Sequence, residues 1–160
     1  MARDLEWDGD DASGNVEAIA RIEELVGHRF PPAYKAVVEI YDGASVVSGD
    51  AFRFASSLTG RSEVYGLGQM IRLKSPSDRP NAATFEWYWK QRPARFPENV
   101  VPFAIEGGGD WICFDYGNAP NPTDPPVVVV HFRGTPGSGN EISKVAPNFL
   151  AFLEMLSEDE

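Results

Sequence analysis

The sequence predicts an α+β fold with a mainly antiparallel sheet. Three observations predict it. Two amphipathic helical patterns come first, at residues 16–26 and 31–42. A glycine-broken pair of apolar runs at residues 100–116 then reads as a central β-hairpin. The strand patterns are grouped, not alternated one for one with helices, which sets the chain apart from parallel, doubly wound folds. The resulting expectation is two N-terminal helices, a short middle helix, the hairpin, and a C-terminal helix packed on the sheet.

Residues 1–14 are acidic and glycine-containing and read as a flexible arm, with Trp7 as its one pin. Residues 15–160 then form a single domain. Val16, Ile19, Ile22 and Val26 recur at helical spacing, with Asn15 as N-cap and Gly27 past the end. Pro31 and Pro32 open the second helix and Gly43 closes it, with Tyr34, Val37, Val38 and Tyr41 as its buried stripe. Phe52 and Phe54 alternate with Arg53 as a strand, and Val64, Tyr65 and Leu67 suggest its neighbour. Residues 75–80 are a loop by their turn residues. Asn81 caps a short helix through Gln91, turning Phe85, Tyr88 and Trp89 inward and Trp87 elsewhere.

In the hairpin, Ile112, Phe114 and Tyr116 share the apolar face, and Trp111, Cys113 and Asp115 share the other. The proline-rich residues 117–126 break the strand. Val127 to Val130 form a strand buried on both faces, with His131 at its exit. A glycine-rich turn at 134–140 and a helix over 147–156 complete the chain.

The 160 residues suit one domain, and 42% hydrophobic with 24% charged residues suits an ordinary globule. No apolar run of about 18 residues exists, so no membrane span is predicted. The first residues lack the basic and apolar regions of a signal peptide, and Cys113 is the one cysteine. The expectation is a cytoplasmic protein without internal disulfides. The net charge of −10 sits largely at the ends, with −4 in residues 1–11 and −4 in residues 154–160. Residues 98–141 carry six acids against one arginine. That sign disfavours direct nucleic-acid binding and favours encounter with a basic protein.

Candidate chemistry is sparse. Glu106, Asp110, Asp115 and His131 are the groups a metal-dependent hydrolase would use. Asp110 and Asp115, however, stand about 17 Å apart along an extended strand and cannot share an ion. Cys113 has no histidine at motif spacing, and the glycines at 107–109 join strand to strand, unlike a phosphate cradle. The arginine and aromatic mixture at residues 52–95 has core spacing, which argues against a base-stacking platform. No catalytic, metal or cofactor residue is therefore assigned. Trp111 and Trp87, with Glu106, Asp110 and Asp115, are the candidate partner-binding residues, since tryptophan often dominates interface energy.

Several segments together resemble the SUKH superfamily, the Smi/Knr-like proteins. They are Ile22-Glu23-Glu24-Leu25, Phe30-Pro31-Pro32-Ala33-Tyr34-Lys35 and Tyr41-Asp42-Gly43. Further on come Val101-Pro102-Phe103-Ala104, then Gly109-Asp110-Trp111-Ile112-Cys113-Phe114-Asp115. Residues 127–131 and 145–153 match the last strand and helix. Asp42-Gly43-Ala44 stands where the family usually has Asn-Gly-Gly, and residues 45–95 match weakly. The resemblance implies an α+β domain that in bacteria commonly serves as a cytoplasmic immunity protein, binding the toxic domain of a polymorphic or contact-dependent toxin, often a nuclease. A fungal branch implies the alternative, a regulatory or scaffold domain binding endogenous proteins. Neither role involves catalysis or a cofactor.

Overall fold

The structure, a computed structural model, describes residues 5–75, 83–93, 96–106, 108–132 and 141–158. The expected loop at 75–80 beyond Ser75, the Asn81 cap, Gly107 and the turn at 134–140 lie outside the described residues. The fold mixes helices with antiparallel sheets, as an α+β chain does. In order come β1 (Trp7–Asp11), α1 (Asn15–Val26), α2 (Pro32–Val38), β2 (Tyr41–Val46), β3 (Ala51–Ala55) and β4 (Ser62–Gly66). Then follow α3 (Phe85–Lys90), β5 (Val100–Ile105), β6 (Trp111–Asp115), β7 (Val127–Val130), β8 (Ile142–Ala146) and α4 (Phe149–Glu154). Among the described residues the strands form three antiparallel sheets, ordered β1-β2, β3-β4 and β5-β6-β7-β8, where the sequence suggested one.

The acidic N-terminal stretch is not wholly an arm. Residues 7–11 pair with β2, Trp7 opposite Val46 and Asp11 opposite Tyr41. Trp7 packs against the core, Arg72 pairs with Asp10, and Lys74 Nζ lies 3.3 Å from Asp11. A Cβ on Gly9 would sit 2.8 Å from Tyr41 Cβ, so glycine permits this close pairing. Composition hid the strand, because its acids carry no apolar alternation.

The second helix ends earlier than its stripe implied, at Val38, and Tyr41 opens β2. Asp42 is buried, and its carboxylate accepts the Leu73 N–H at 2.8 Å and Asn15 Nδ2 at 3.3 Å. Asn15 is the first residue of α1 and not its cap. Its amide also donates to Val38 O at 2.7 Å, tying α1 to the end of α2. Ile19 and Ile22 face the core as expected, while Val16 and Leu25 stay exposed. The middle helix starts at Phe85, with Thr84 as its cap.

The four-stranded sheet is buried on both faces. Phe103 and Phe114 stack at 4.3 Å, and Tyr34 meets Phe114 at 5.4 Å and Phe149 at 5.8 Å, edge to face. Val127 and Val129 join this main core. Val100, Cys113, Val128 and Val130 form a second cluster on the opposite face, where Phe96, Trp111 and Ile142 cover it. That division places the site.

Candidate partner-binding face

The β5-β6 turn is closed by Glu106 N–H to Asp110 O at 2.8 Å and Gly109 N–H to Glu106 O at 2.9 Å. Gly109 has φ 101°, a conformation that side-chain-bearing residues avoid. This turn sends Asp110 inward and Trp111 outward. Asp110 is only 5% exposed. Its Oδ2 accepts the Tyr65 hydroxyl at 2.7 Å and lies 2.8 Å from His131 Nδ1, and its Oδ1 accepts the Phe132 N–H at 3.3 Å. Burial, then the hydrogen bond to Asp110 and the negative charge there, pushes the Tyr65 hydroxyl well above its ordinary pKa.

His131 continues inward. Its Nε2 lies 2.7 Å from Ser143 Oγ, which accepts the Ser57 N–H at 2.8 Å. Ser57 Oγ donates in turn to Ile142 O at 2.7 Å. Asp110, His131 and Ser143 thus follow the hydrogen-bond order of a serine-hydrolase triad. Access is the deciding difference: Ser143 is 1% exposed, so a substrate carbonyl has no route to its hydroxyl in this conformation. The sequence reading missed Ser143 altogether, because nothing in its spacing from His131 predicts contact.

Asp115 lies at the other end of β6, away from His131. It is buried, and its oxygens accept the Gly117 N–H at 3.0 Å and Asn118 Nδ2 at 2.9 Å, capping a single 3-10 turn. Asp110 and Asp115 are therefore internal caps and ties, both nearly buried, although Asp110 also lines the groove beside Trp111 and Phe132. Glu106 is half-buried, its Oε2 accepting the Gly108 N–H at 2.8 Å. Burial, then the charge of Asp115, raises the Cys113 pKa, which keeps it a thiol. Among the described residues, no three His, Cys, Asp or Glu side chains gather as a metal site.

What the turn sends outward is aromatic. Trp111 meets Phe132 at 5.0 Å, Phe96 at 5.4 Å and Tyr88 at 5.8 Å between ring centroids. Tyr88 in turn meets Trp87 at 5.0 Å. Trp87 is 50% exposed and Phe132 42%. Pro93 and Gln91 line a shallow groove against Trp111 and Phe132. The sequence reading named Trp87 and Trp111 and missed Tyr88, Phe96 and Phe132. The period of two along β7 carried the signal for Phe132, since it continues the face of Val128 and Val130.

Residues 15–155 match the SMI1/KNR4 family (SUKH-1). The chain belongs to this family. Comparison with curated proteins finds no match. In this SUKH-1 domain Asp42 accepts from the Leu73 N–H and Asn15 Nδ2. Its charge, after burial itself, raises the pKa of the fully buried Tyr34 hydroxyl. No helix among the described residues of this SUKH-1 domain is long and apolar enough to cross a membrane.

Proposed function

We propose that this SUKH-1 domain is a non-enzymatic protein-binding domain, a cytoplasmic immunity protein that neutralises a cognate toxic domain by covering its active cleft. The observation that carries this reading is the joined aromatic surface of Trp87, Tyr88, Phe96, Trp111 and Phe132. Large rings that remain half-exposed while anchored beneath favour hot-spot contact, and Glu106 lies at the same hairpin tip. A standard interface would cover about 800 Å² on this partner. The net charge of −10 would steer a basic partner, such as a nuclease domain, toward it.

The test is co-purification with the toxic domain encoded beside this gene, followed by Trp87→Ala and Phe132→Ala. Either substitution should weaken binding at least tenfold while leaving the urea midpoint nearly unchanged. Wild-type affinity in both variants would overturn the assignment of this face.

A further inference from the structure

We infer that the aromatic face receives an acidic side chain of its protein partner. An apolar groove and a cationic pocket adjoin at Pro93, and together they fit a segment with Asp or Glu beside an apolar residue. That the partner is a protein rests on the reading above. The sign and place of its charge do not.

The groove beside Trp111 and Phe132 has a volume of about 360 Å³ and is bounded by Gln91 and Pro93. The one carboxylate on its wall, Asp110, is already taken up by Tyr65, His131 and the Phe132 N–H. Pro93 also borders a second cavity of about 460 Å³, walled by Trp89, Lys90, Arg92 and Phe96. Phe96 meets the Trp111 ring at 5.4 Å, which joins the two cavities into one surface.

The second cavity is lined by two cations and by no acid among the described residues. Arg92 is held in place there. Its guanidinium carbon lies 3.3 Å from the centroid of the Trp89 ring, and its Nε–H donates to Trp89 O at 2.7 Å. These contacts fix the guanidinium plane and occupy one edge, which leaves the two terminal nitrogens as a fork. Lys35 and Arg72 are neutralised by Glu23 and Asp10, but among the described residues no carboxylate pairs with Arg92 or Lys90. Burial also holds the Arg92 pKa below its ordinary value, as expected of a cation drawn from water without a counter-charge.

A fixed fork of this kind matches the two oxygens of a carboxylate. Lys90, exposed at the end of α3, adds a second positive charge beside it. The helix end accounts for a cation bonded to Trp89 O. It makes no use of the terminal nitrogens. The local sign is opposite to the chain's net charge of −10. The long-range field therefore draws in a basic partner, while this spot selects an acidic residue within that partner's surface.

The probes are N-acetyl-Phe-Glu amide and its neutral isostere N-acetyl-Phe-Gln amide, read by the indole N–H shifts of Trp89 and Trp111. The Glu peptide should shift both signals saturably and bind about two- to fivefold more tightly than the Gln peptide at low salt. The preference should shrink as salt is raised. Arg92→Gln should erase it and Lys90→Gln should reduce it, with the urea midpoint of each variant near wild type. Equal affinity for the two peptides, no saturable shift, or a preference that survives Arg92→Gln would each overturn the proposal. So would tighter binding at these indoles by inorganic phosphate or a short oligothymidylate, which would mark a phosphate site. The probes need no toxic domain, so failure here leaves the Trp87 and Phe132 test of the immunity reading standing.

Discussion

Replacing Asp110 tests the internal tie beneath the aromatic face. Its carboxylate accepts from Tyr65 and His131 on one oxygen and from Phe132 N–H on the other, at 5% exposure. Asp110→Asn can keep its carbonyl toward Tyr65 and His131. Its amide then faces the Phe132 N–H, donor against donor, and the charge assistance is gone. One weak bond lost and two reduced cost about 1–3 kcal/mol. Asp110→Ala strands all three donors, and the cost rises to about 3–5 kcal/mol. With a urea slope of about 2 kcal/mol/M, the midpoint falls by roughly 0.5–1.5 M for Asn and 1.5–2.5 M for Ala. Tyr65→Phe removes one bond and costs about 1 kcal/mol. The double variant Tyr65→Phe with Asp110→Ala should cost less than the sum of the two, because the shared bond is lost once. Equilibrium urea unfolding followed by circular dichroism reads all four variants against wild type. An Asp110→Ala midpoint within error of wild type, or strictly additive costs, would refute the tie.

Two further outcomes follow from burial. Cys113 is fully buried with a raised pKa, so its reaction with a thiol reagent should keep pace with unfolding, and fast labelling of the folded protein would contradict the second core cluster. Tyr34, Tyr65 and Tyr116 all have raised pKa values, each with burial as the largest cause. Their stabilising contribution is complete below the unfolded tyrosine value of about 10 and is lost as pH rises above it. Tyrosinate absorbance from these three should therefore appear together with loss of circular dichroism, and tyrosinate in a still-folded protein would count against the packing.

The parts of the fold that the sequence revealed are those where one periodicity acts alone. Ile19 and Ile22 repeat at 3.6 residues, and Ile112 and Phe114 alternate at two, so the helix and hairpin cores were readable. The β1-β2 sheet was not readable, because its ladder joins segments far apart in the chain and Arg72 and Leu73 tie down its two strands from a third. Tyr41 fitted a helical stripe and still became a strand residue, tertiary pairing overriding local pattern. At the candidate site Trp87 and Trp111 were legible from residue type. Asp110 looked like a turn acid. Its burial depends on Tyr65 and on the adjacent His131 and Phe132 arriving from two other segments, which no local window contains.

The Asp110–His131–Ser143 chain separates hydrogen-bond order from function. A hydrolase triad works because its serine faces a substrate and its histidine can hand a proton to a leaving group. Here the serine instead accepts a backbone N–H from Ser57, and His131 is 2% exposed. The chain's outer end is its informative one. Trp111 follows Asp110 directly, Phe132 follows His131, and the Phe132 N–H is bonded to the same carboxylate. The buried polar chain therefore fixes two backbones whose next side chains are the centre of the exposed aromatic surface. Rings held this way lose less rotational freedom when covered by a partner, and that lowers the entropic cost of association. The same residues that would suggest catalysis from their order alone are thus, by their burial, ties that hold the backbone beneath the aromatic surface.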